Sequence, residues 1–367
     1  MGERCRPRAK APHWLSGTLV NLLVTVISLG IGLAGLEIAS RVHFLGFKGL
    51  SFSRTTNFWH IVWMNHAIQP SASLDRPYDL RPGLDTVLKL AHLRTNSAGM
   101  ADQERDLAKP QGAFRVAVIG DSYTMASGVE PEENYASRLE QELNRDLPGR
   151  RVEFLNFGVA GYNVRNYASV IRERALRFKP DLILIGWCGI NDHSQRENVV
   201  KFSALAASAE QEKFYSFTPY SLVWASMTAC QHGYQLLPTL FSSLPPMASM
   251  TLGREWCHAA KPLRPVTYTA GDLAYLETQF STIEHLAGTT PVVVAQLFLD
   301  TPVDPRLGDL AARHRFQFLD VAPAFAGIDP VSLRIFPFDG HPNAEAHQRY
   351  AVRILSFLKE RQLVPSL

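Results

Sequence analysis

A serine hydroxyl, an imidazole, a carboxamide and a glycine amide stand in this chain where strand-like runs stop. Asp121 and Ser122 follow RVAVIG, and Asn156, Gly158 and Gly161 lie in NFGVAGYN. Gly189, Asn191 and Asp192 belong to GIND, while Asp339 and His341 belong to FDGHPNAEAHQRYAVRIL. A serine hydroxyl is a weak nucleophile until a base takes its proton, and the oxyanion that follows needs preorganised donors. Ser122 is therefore the expected nucleophile, His341 its base and Asp339 the carboxylate that orients the imidazole. The backbone N–H groups of Ser122 and Gly161, with the side-chain amide of Asn191, are the expected oxyanion donors. Singly, each piece has a plainer reading: a cap for the serine, a turn for Asn191-Asp192, a surface position for the histidine. Their joint occurrence in this order favours catalysis. The chemistry requires no cofactor, and no C-x-x-C or H-E-x-x-H spacing offers zinc a ligand set. The elbow G-x-S-x-G is absent from the sequence, against an α/β-hydrolase arrangement.

Such residues converge only if the elements beneath them bring strand ends to one edge, as an open parallel sheet does. Five apolar runs fit: RVAVIG, RVEFLNFGV, DLILIGWCGIND, PVVVAQLFLD and RFQFLDV. Between them NYASRLEQELNRDL places Tyr135, Leu139 and Leu143 at helical spacing, and NYASVIRERALRF follows the second run. Pro342 and Asn343 open a last helix with Tyr350, Ile354 and Leu358 on one face. The pattern predicts an α/β fold whose parallel sheet is covered on both sides. About ninety residues, roughly 200–290, separate the third and fourth runs, too many for a plain connection. They read as a functional insertion or small cap closed by the helical LAYLETQFSTIEHLAG. Trp224, Tyr234 and Trp256 there offer a surface for a substrate groove, although aromatics in an apolar segment more often simply pack.

Residues 15–36 run without a charge and, as a helix, span about 33 Å, enough for a bilayer core. A membrane anchor is favoured over a cleaved signal, whose apolar stretch is shorter and ends in small residues. Arg4, Arg6, Arg8 and Lys10 precede it, so the 1–14 tail is expected in the cytoplasm and the body outside. Gly30, Gly32 and Gly35 spell G-x-G-x-x-G inside this stretch, but no strand precedes them and helix packing explains them better. Residues 37–110, with Pro70, Pro77, Pro82 and Pro110, read as a stalk that becomes a wrapping segment ahead of a domain at 111–367. The whole chain of 367 residues carries net charge +3, and beyond the first fourteen residues basic and acidic side chains balance. A nucleic-acid partner is disfavoured because the body lacks a basic field.

At Ser122, Gly161, Asn191 and His341 the chain resembles the SGNH (GDSL-type) hydrolases, named for those four residue types. The resemblance extends over roughly residues 90–360, including RTNSAGM, which is similar to the lead-in of membrane-anchored members. It implies a flavodoxin-like three-layer fold with a five-stranded sheet and esterase chemistry, often deacylation of lipids or carbohydrates. Many members place the aspartate three residues before the histidine, whereas Asp339 stands two before His341; in an extended segment that spacing still shares a face. Where similar members often have glycine soon after GDSxT, this chain has Ala126 and Ser127.

The expected function is that of a membrane-anchored serine esterase acting on a short acyl group, with an envelope carbohydrate as the favoured substrate. The same acyl-enzyme would allow transfer to a sugar hydroxyl, and a glycan-binding protein with a retained hydrolase fold is the non-catalytic alternative. Asp320 is expected to fix a turn, Asp300 and Asp304 are reserve carboxylates, and His193 and His347 are expected at the surface or in support. Cys188 reads as an inert buried thiol, and Cys230 and Cys257 as either a disulfide or two buried thiols.

Overall fold

The structure, a computed structural model, describes residues 13–45, 47, 50, 67–189, 192–193, 267–297, 304–336 and 339–365. Helix α1 (His13–Leu45) includes the span Gly17–His43, of mean hydropathy 2.2 and exposed along its apolar part up to residue 36. It continues past residue 36 through Glu37 and Arg41, which pair at 2.9 Å one turn apart. Its length and composition fit a membrane anchor and an amino-terminal signal alike.

Two short hairpins follow: β1 (Ile68–Pro70) pairs with β2 (Tyr78–Leu80), and β3 (Asp85–Leu88) with β4 (Ala91–Arg94). Strands this short are not stable alone. They hold by burying Tyr78, Leu80, Leu88 and Leu93 in the core of the following domain. Lys89 and Leu90 make the two-residue turn of the second hairpin with φ +51° and +67°. That turn matches strand twist but ordinarily uses Asn-Gly, so two side chains in the left-handed region cost about 1–3 kcal/mol each.

The body then alternates: β5 (Phe114–Gly120), α2 (Ser122–Met125), α3 (Tyr135–Asp146), β6 (Val152–Asn156), α4 (Val164–Glu173), β7 (Leu182–Trp187), α5 (Ala270–Ala287), β8 (Val292–Gln296), α6 (Pro305–Arg313) and β9 (Gln317–Asp320). The five strands form one parallel sheet in the order β6-β5-β7-β8-β9. Every residue of β6, β7 and β8 is buried, which explains runs with no polar alternation. Ala117 and Ile119 face α4 residues Tyr167 and Ile171 and α5 residues Leu276 and Phe280 on one side. Val116 and Val118 share the other side with Leu139 and Leu143 of α3. After β9 a small antiparallel pair, β10 (Arg334–Phe336) and β11 (Asp339–Pro342), leads into α7 (Ala344–Glu360), whose Tyr350, Ile354 and Leu358 complete that second layer. The fold is the expected α/β architecture, a five-stranded parallel sheet flanked by helices.

The segment LAYLETQFSTIEHLAG is not the end of an insertion: it is most of α5, which buries Leu276, Phe280 and Ile283 against the sheet. A capping box of Thr269 and Asp272 starts that helix. Residues 194–266, with Trp224, Tyr234, Trp256, Cys230 and Cys257, lie outside the described residues.

Candidate active site

The first polar residues past β5 form the entry to α2. Asp121 caps it, its carboxylate accepting the Tyr123 N–H at 2.9 Å, and Ser122 opens the helix at 8% exposure. After one turn Ala126 takes φ 60°, ψ 51°, a left-handed cap where glycine would be the unstrained choice. Thr124 pins the turn from beneath. A Cβ on Gly120 would lie 2.0 Å from Thr124 Oγ1, and one on Gly186 of β7 would lie 2.3 Å from it, so helix α2 settles only onto bare backbone. The carbonyl of Thr124 also accepts the Asn156 amide at 2.9 Å and the Asn134 amide at 3.1 Å. Strand β6 and the start of α3 are thereby tied to the same turn.

Gly161 lies in the loop between β6 and α4 at φ +79°, a left-handed conformation that favours glycine. The wrapping segment fixes this loop: Tyr78 donates its hydroxyl to Ala160 O at 2.8 Å, and Tyr162 donates to Asp79 at 3.0 Å. Asn191 lies outside the described residues, but its neighbour Asp192 is wholly buried. Asp192 accepts the Tyr167 hydroxyl at 2.7 Å and the Cys188 N–H at 2.5 Å, and its carbonyl accepts the Val164 N–H at 3.1 Å. Burial, with a smaller contribution from Asp121, pushes the Asp192 carboxyl well above the usual range. Its two carboxyl oxygens and its carbonyl thus tie the segment after β7 to α4.

Asp339 and His341 both lie on β11. Asp339 Oδ1 faces His341 Nδ1 and also accepts the His341 backbone N–H at 3.1 Å. Lys89, reaching over from the β3–β4 turn, stands 2.7 Å from Asp339 Oδ2 and 2.9 Å from His341 Nδ1. Burial works to raise the Asp339 carboxyl, but the His341 and Lys89 charges and their hydrogen bonds outweigh it and hold it far below the usual carboxylate range. Helix α2 meets this strand directly: Tyr123 donates its hydroxyl to Gly340 O at 3.1 Å, and its ring centroid lies 5.7 Å from that of His341. Burial above all keeps that phenol neutral, its pKa well raised. The structure therefore brings the Ser122 turn, the Gly161 loop and the Asp339–His341 pair to the same end of the sheet.

The remaining candidates divide. Asp320 accepts the Ala322 N–H at 2.9 Å and fixes a turn, as expected. Asp304 caps α6 and is committed to Arg306, whose hydrogen bond chiefly lowers its pKa to about 2. Asp300 lies outside the described residues. His193 packs at a tilt against the Tyr268 ring, with centroids 5.1 Å apart. His347 is not at the surface: it is fully buried on α7, three residues before Tyr350, and its Nδ1 accepts the Tyr135 N–H at 3.2 Å. Burial first, then Arg138 and His341, lower its pKa to about 3, so it stays neutral. Cys188 is buried and unbonded to sulfur. Among the described residues no group of three His, Cys, Asp or Glu side chains is arranged to hold a metal. Lys89 and Thr124 escaped the sequence reading. The small residues ending neighbouring strands, Gly120 and Gly186, hinted at Thr124, but nothing near Lys89 in sequence points to a partner 252 positions away.

The family model for GDSL-like lipases and acylhydrolases matches residues 118–349. No curated protein matches the chain. Among solved structures, a two-domain esterase active on acetylated mannans, co-crystallised with mannopentaose, is similar at 15% identity over 69% of this chain, with TM-score 0.41. The match spans 51% of that esterase, about half its length. A catalytic mutant of Axe2, an acetylxylan esterase from Geobacillus stearothermophilus, is 18% identical over 71% of this chain and 100% of its own, with TM-score 0.39. TesA is 14% identical over 68% and 99% of the two chains, with TM-score 0.37. With that family model covering well over half its length, the chain belongs to the GDSL-like lipase/acylhydrolase (SGNH) family, hydrolases that act on ester bonds.

Proposed function

We propose that the protein is a membrane-anchored serine esterase that removes or transfers a short acyl group on an envelope carbohydrate through an acyl-enzyme at Ser122. The observation that carries this reading is the Asp339–His341 pair set against the helix that Ser122 opens, through Tyr123. In the first half-reaction Ser122 Oγ attacks the ester carbonyl while His341 Nε2 takes its proton. The negative charge on the carbonyl oxygen is met by the N–H groups of Ser122 and Gly161 and by the Asn191 amide. Collapse expels the alcohol, which receives the proton from His341, and leaves the acyl group on Ser122. Water or a sugar hydroxyl then gives its proton to His341 as it attacks the acyl carbonyl, and His341 returns that proton to Ser122 Oγ as the serine leaves. Asp339 stays ionised throughout because its pKa is held so low, and keeps the ring oriented.

The anchor reading rests on helix α1 and the basic residues ahead of it, which favour an amino terminus in the cytoplasm and a catalytic body outside. An outward site meets envelope glycans, and the balanced charge of the body suits a neutral substrate. The test is a fluorophosphonate probe on the full-length protein, followed by acetyl and long-chain esters with and without a sugar acceptor. Labelling should map to Ser122 and vanish in Ser122→Ala with a thermal midpoint nearly unchanged. Acetyl-ester turnover that survives Ser122→Ala would end the mechanism, and a marked preference for long chains would end the substrate class.

A further inference from the structure

We infer that Lys89 is a positioning residue for the proposed acyl-transfer site: its ammonium clamps Asp339 and, standing against the imidazole, sets the basicity of His341. The inference rests on the reading of Ser122 as nucleophile and His341 as base. Lys89 is 7% exposed, and a lysine is buried this far only when its charge is paired. Its pairing is divided between two atoms of one dyad, Asp339 Oδ2 at 2.7 Å and His341 Nδ1 at 2.9 Å. The turn that carries it keeps two non-glycine residues at positive φ, a conformation retained only where surrounding contacts impose it. Those contacts tie the hairpin to the nucleophile side as well. Glu130, in the loop after α2, accepts the His92 N–H at 3.3 Å and meets His92 Nδ1 at 2.8 Å, and Arg94 meets Glu132 at 3.4 Å. One hairpin therefore grips the loop beyond Ser122 along its side and the base at its tip.

The chemistry follows from what an ammonium can do. Asp339 sits only two residues before His341 on one strand, so its carboxylate needs an anchor from outside that strand to stay edge-on to the ring. Lys89 supplies it on Oδ2, leaving Oδ1 for the imidazole. A lysine has donors and no acceptor. When Nδ1 carries its proton toward Asp339, the Lys89 approach to that nitrogen is therefore a charge contact, and it opposes a second positive charge on the ring. Proton uptake from Ser122 becomes less favourable and proton return to the leaving oxygen more so. The groups facing His341 are Asp339 on its own strand, Lys89 from the β3–β4 turn, Tyr123 at α2 and His347 from α7. Tyr123 and His347 are neutral, so among these Lys89 is the cation in contact with the ring.

The test measures the rate of fluorophosphonate labelling at Ser122 across about pH 5–9 for the full-length protein in detergent, as wild type, Lys89→Met, Lys89→Gln and Lys89→Arg. The wild-type rate should rise with pH along one acid limb as His341 loses its proton. Lys89→Met and Lys89→Gln should shift that limb upward by about one pH unit and lower the plateau about tenfold. Lys89→Arg, which keeps the charge, should leave the limb in place. If the limb stays put in whichever neutral variant folds, Lys89 is structural only and the inference fails while the acyl-enzyme reading stands. Absence of wild-type labelling at Ser122 would overturn both.

Discussion

Ser122 is held by apolar strands and backbone hydrogen bonds, whereas Asp339 and His341 are held by charges that arrive from the far end of the chain. On the Ser122 side, β5 buries every residue from Arg115 to Gly120, and Thr124 locks the turn against two glycines. On the His341 side, β11 is a four-residue strand whose first three residues are partly exposed, steadied by Lys89 from the wrapping segment. That segment is fastened throughout by ions: Arg76 to Glu173 at 2.8 Å, Arg174 to Asp79 at 3.3 Å, Arg105 to Glu140 at 2.7 Å, Lys109 to Asp181 at 2.5 Å. Hydrophobic burial is non-directional and tolerates substitution, while a buried charge must find its partner or be destabilising. The base side should therefore be the more brittle of the two.

The largest expected effect is on that side. Asp339→Asn keeps the shape but deprives His341 of the proposed orienting carboxylate and Lys89 of its buried ion pair, so turnover should fall by up to about 10⁴-fold and the thermal midpoint should drop as well. A variant within tenfold of wild type would mean that the carboxylate belongs elsewhere. The next effect falls on the join between the two regions. Arg105 bonds Asp102 at 2.9 Å, Glu140 at 2.7 Å and the Phe154 carbonyl at 3.2 Å, all nearly out of solvent. Asp102 in turn accepts the Asn156 N–H at 3.2 Å, and burial, opposed by Arg105, leaves its pKa raised to about 6. Arg105→Met strands two buried carboxylates and should destabilise the fold by about 3–5 kcal/mol, read from denaturant unfolding. A loss under about 1 kcal/mol would show the wrapping segment to be passive.

A smaller effect tests whether the sheet side is free of electrostatic weakness. His347 is buried there with a folded pKa near 3, below its ordinary 6.5, so the unfolded chain binds the extra proton between those values. Its neutral form supports the fold fully above about pH 6.5, and stability falls as pH drops below that, by about 1.4 kcal/mol per unit. His347→Gln should flatten this slope in unfolding midpoints between about pH 6.5 and 5. An unchanged slope would place the acid sensitivity elsewhere. The smallest effect is a gain. Ala126 occupies a left-handed cap, so Ala126→Gly relieves its Cβ and should stabilise by about 0.5–1 kcal/mol after the cost in unfolded-state entropy. Labelling of Ser122 should be unaffected, and a net loss of stability would contradict the strain.

The same division explains what could be read in advance. The five sheet strands are continuous apolar runs, and the spacing of Leu139 and Leu143 or Ile354 and Leu358 repeats a helical face, so both regular layers were legible. The pairing of Asp339 with His341 was legible because i and i+2 share a face of an extended strand. Strands β1 to β4 were not: three or four residues each, they carry too little pattern to stand out from turn-rich sequence. For His347 the sequence leaves surface and support both open, and its position one turn before Tyr350, on the buried face of α7, decides for the second. The helix α5 was recognised as helical but assigned to the insertion, since sequence spacing alone does not say which helix returns to the sheet. Lys89 and Arg105 find partners by tertiary proximity, which local periodicity does not record.

The reach of Lys89 to His341, 252 positions apart, also sets a clock on biogenesis. Synthesis at about 5–20 residues per second puts roughly 13–50 s between the emergence of the lysine and that of the histidine it braces. Throughout that interval the amino-terminal hairpin has no dyad to grip, while the nucleophile turn, complete once β7 is made, can already settle. The proposed acyl-transfer site thus cannot be assembled before residue 341 has been made, long after the hairpin that braces it.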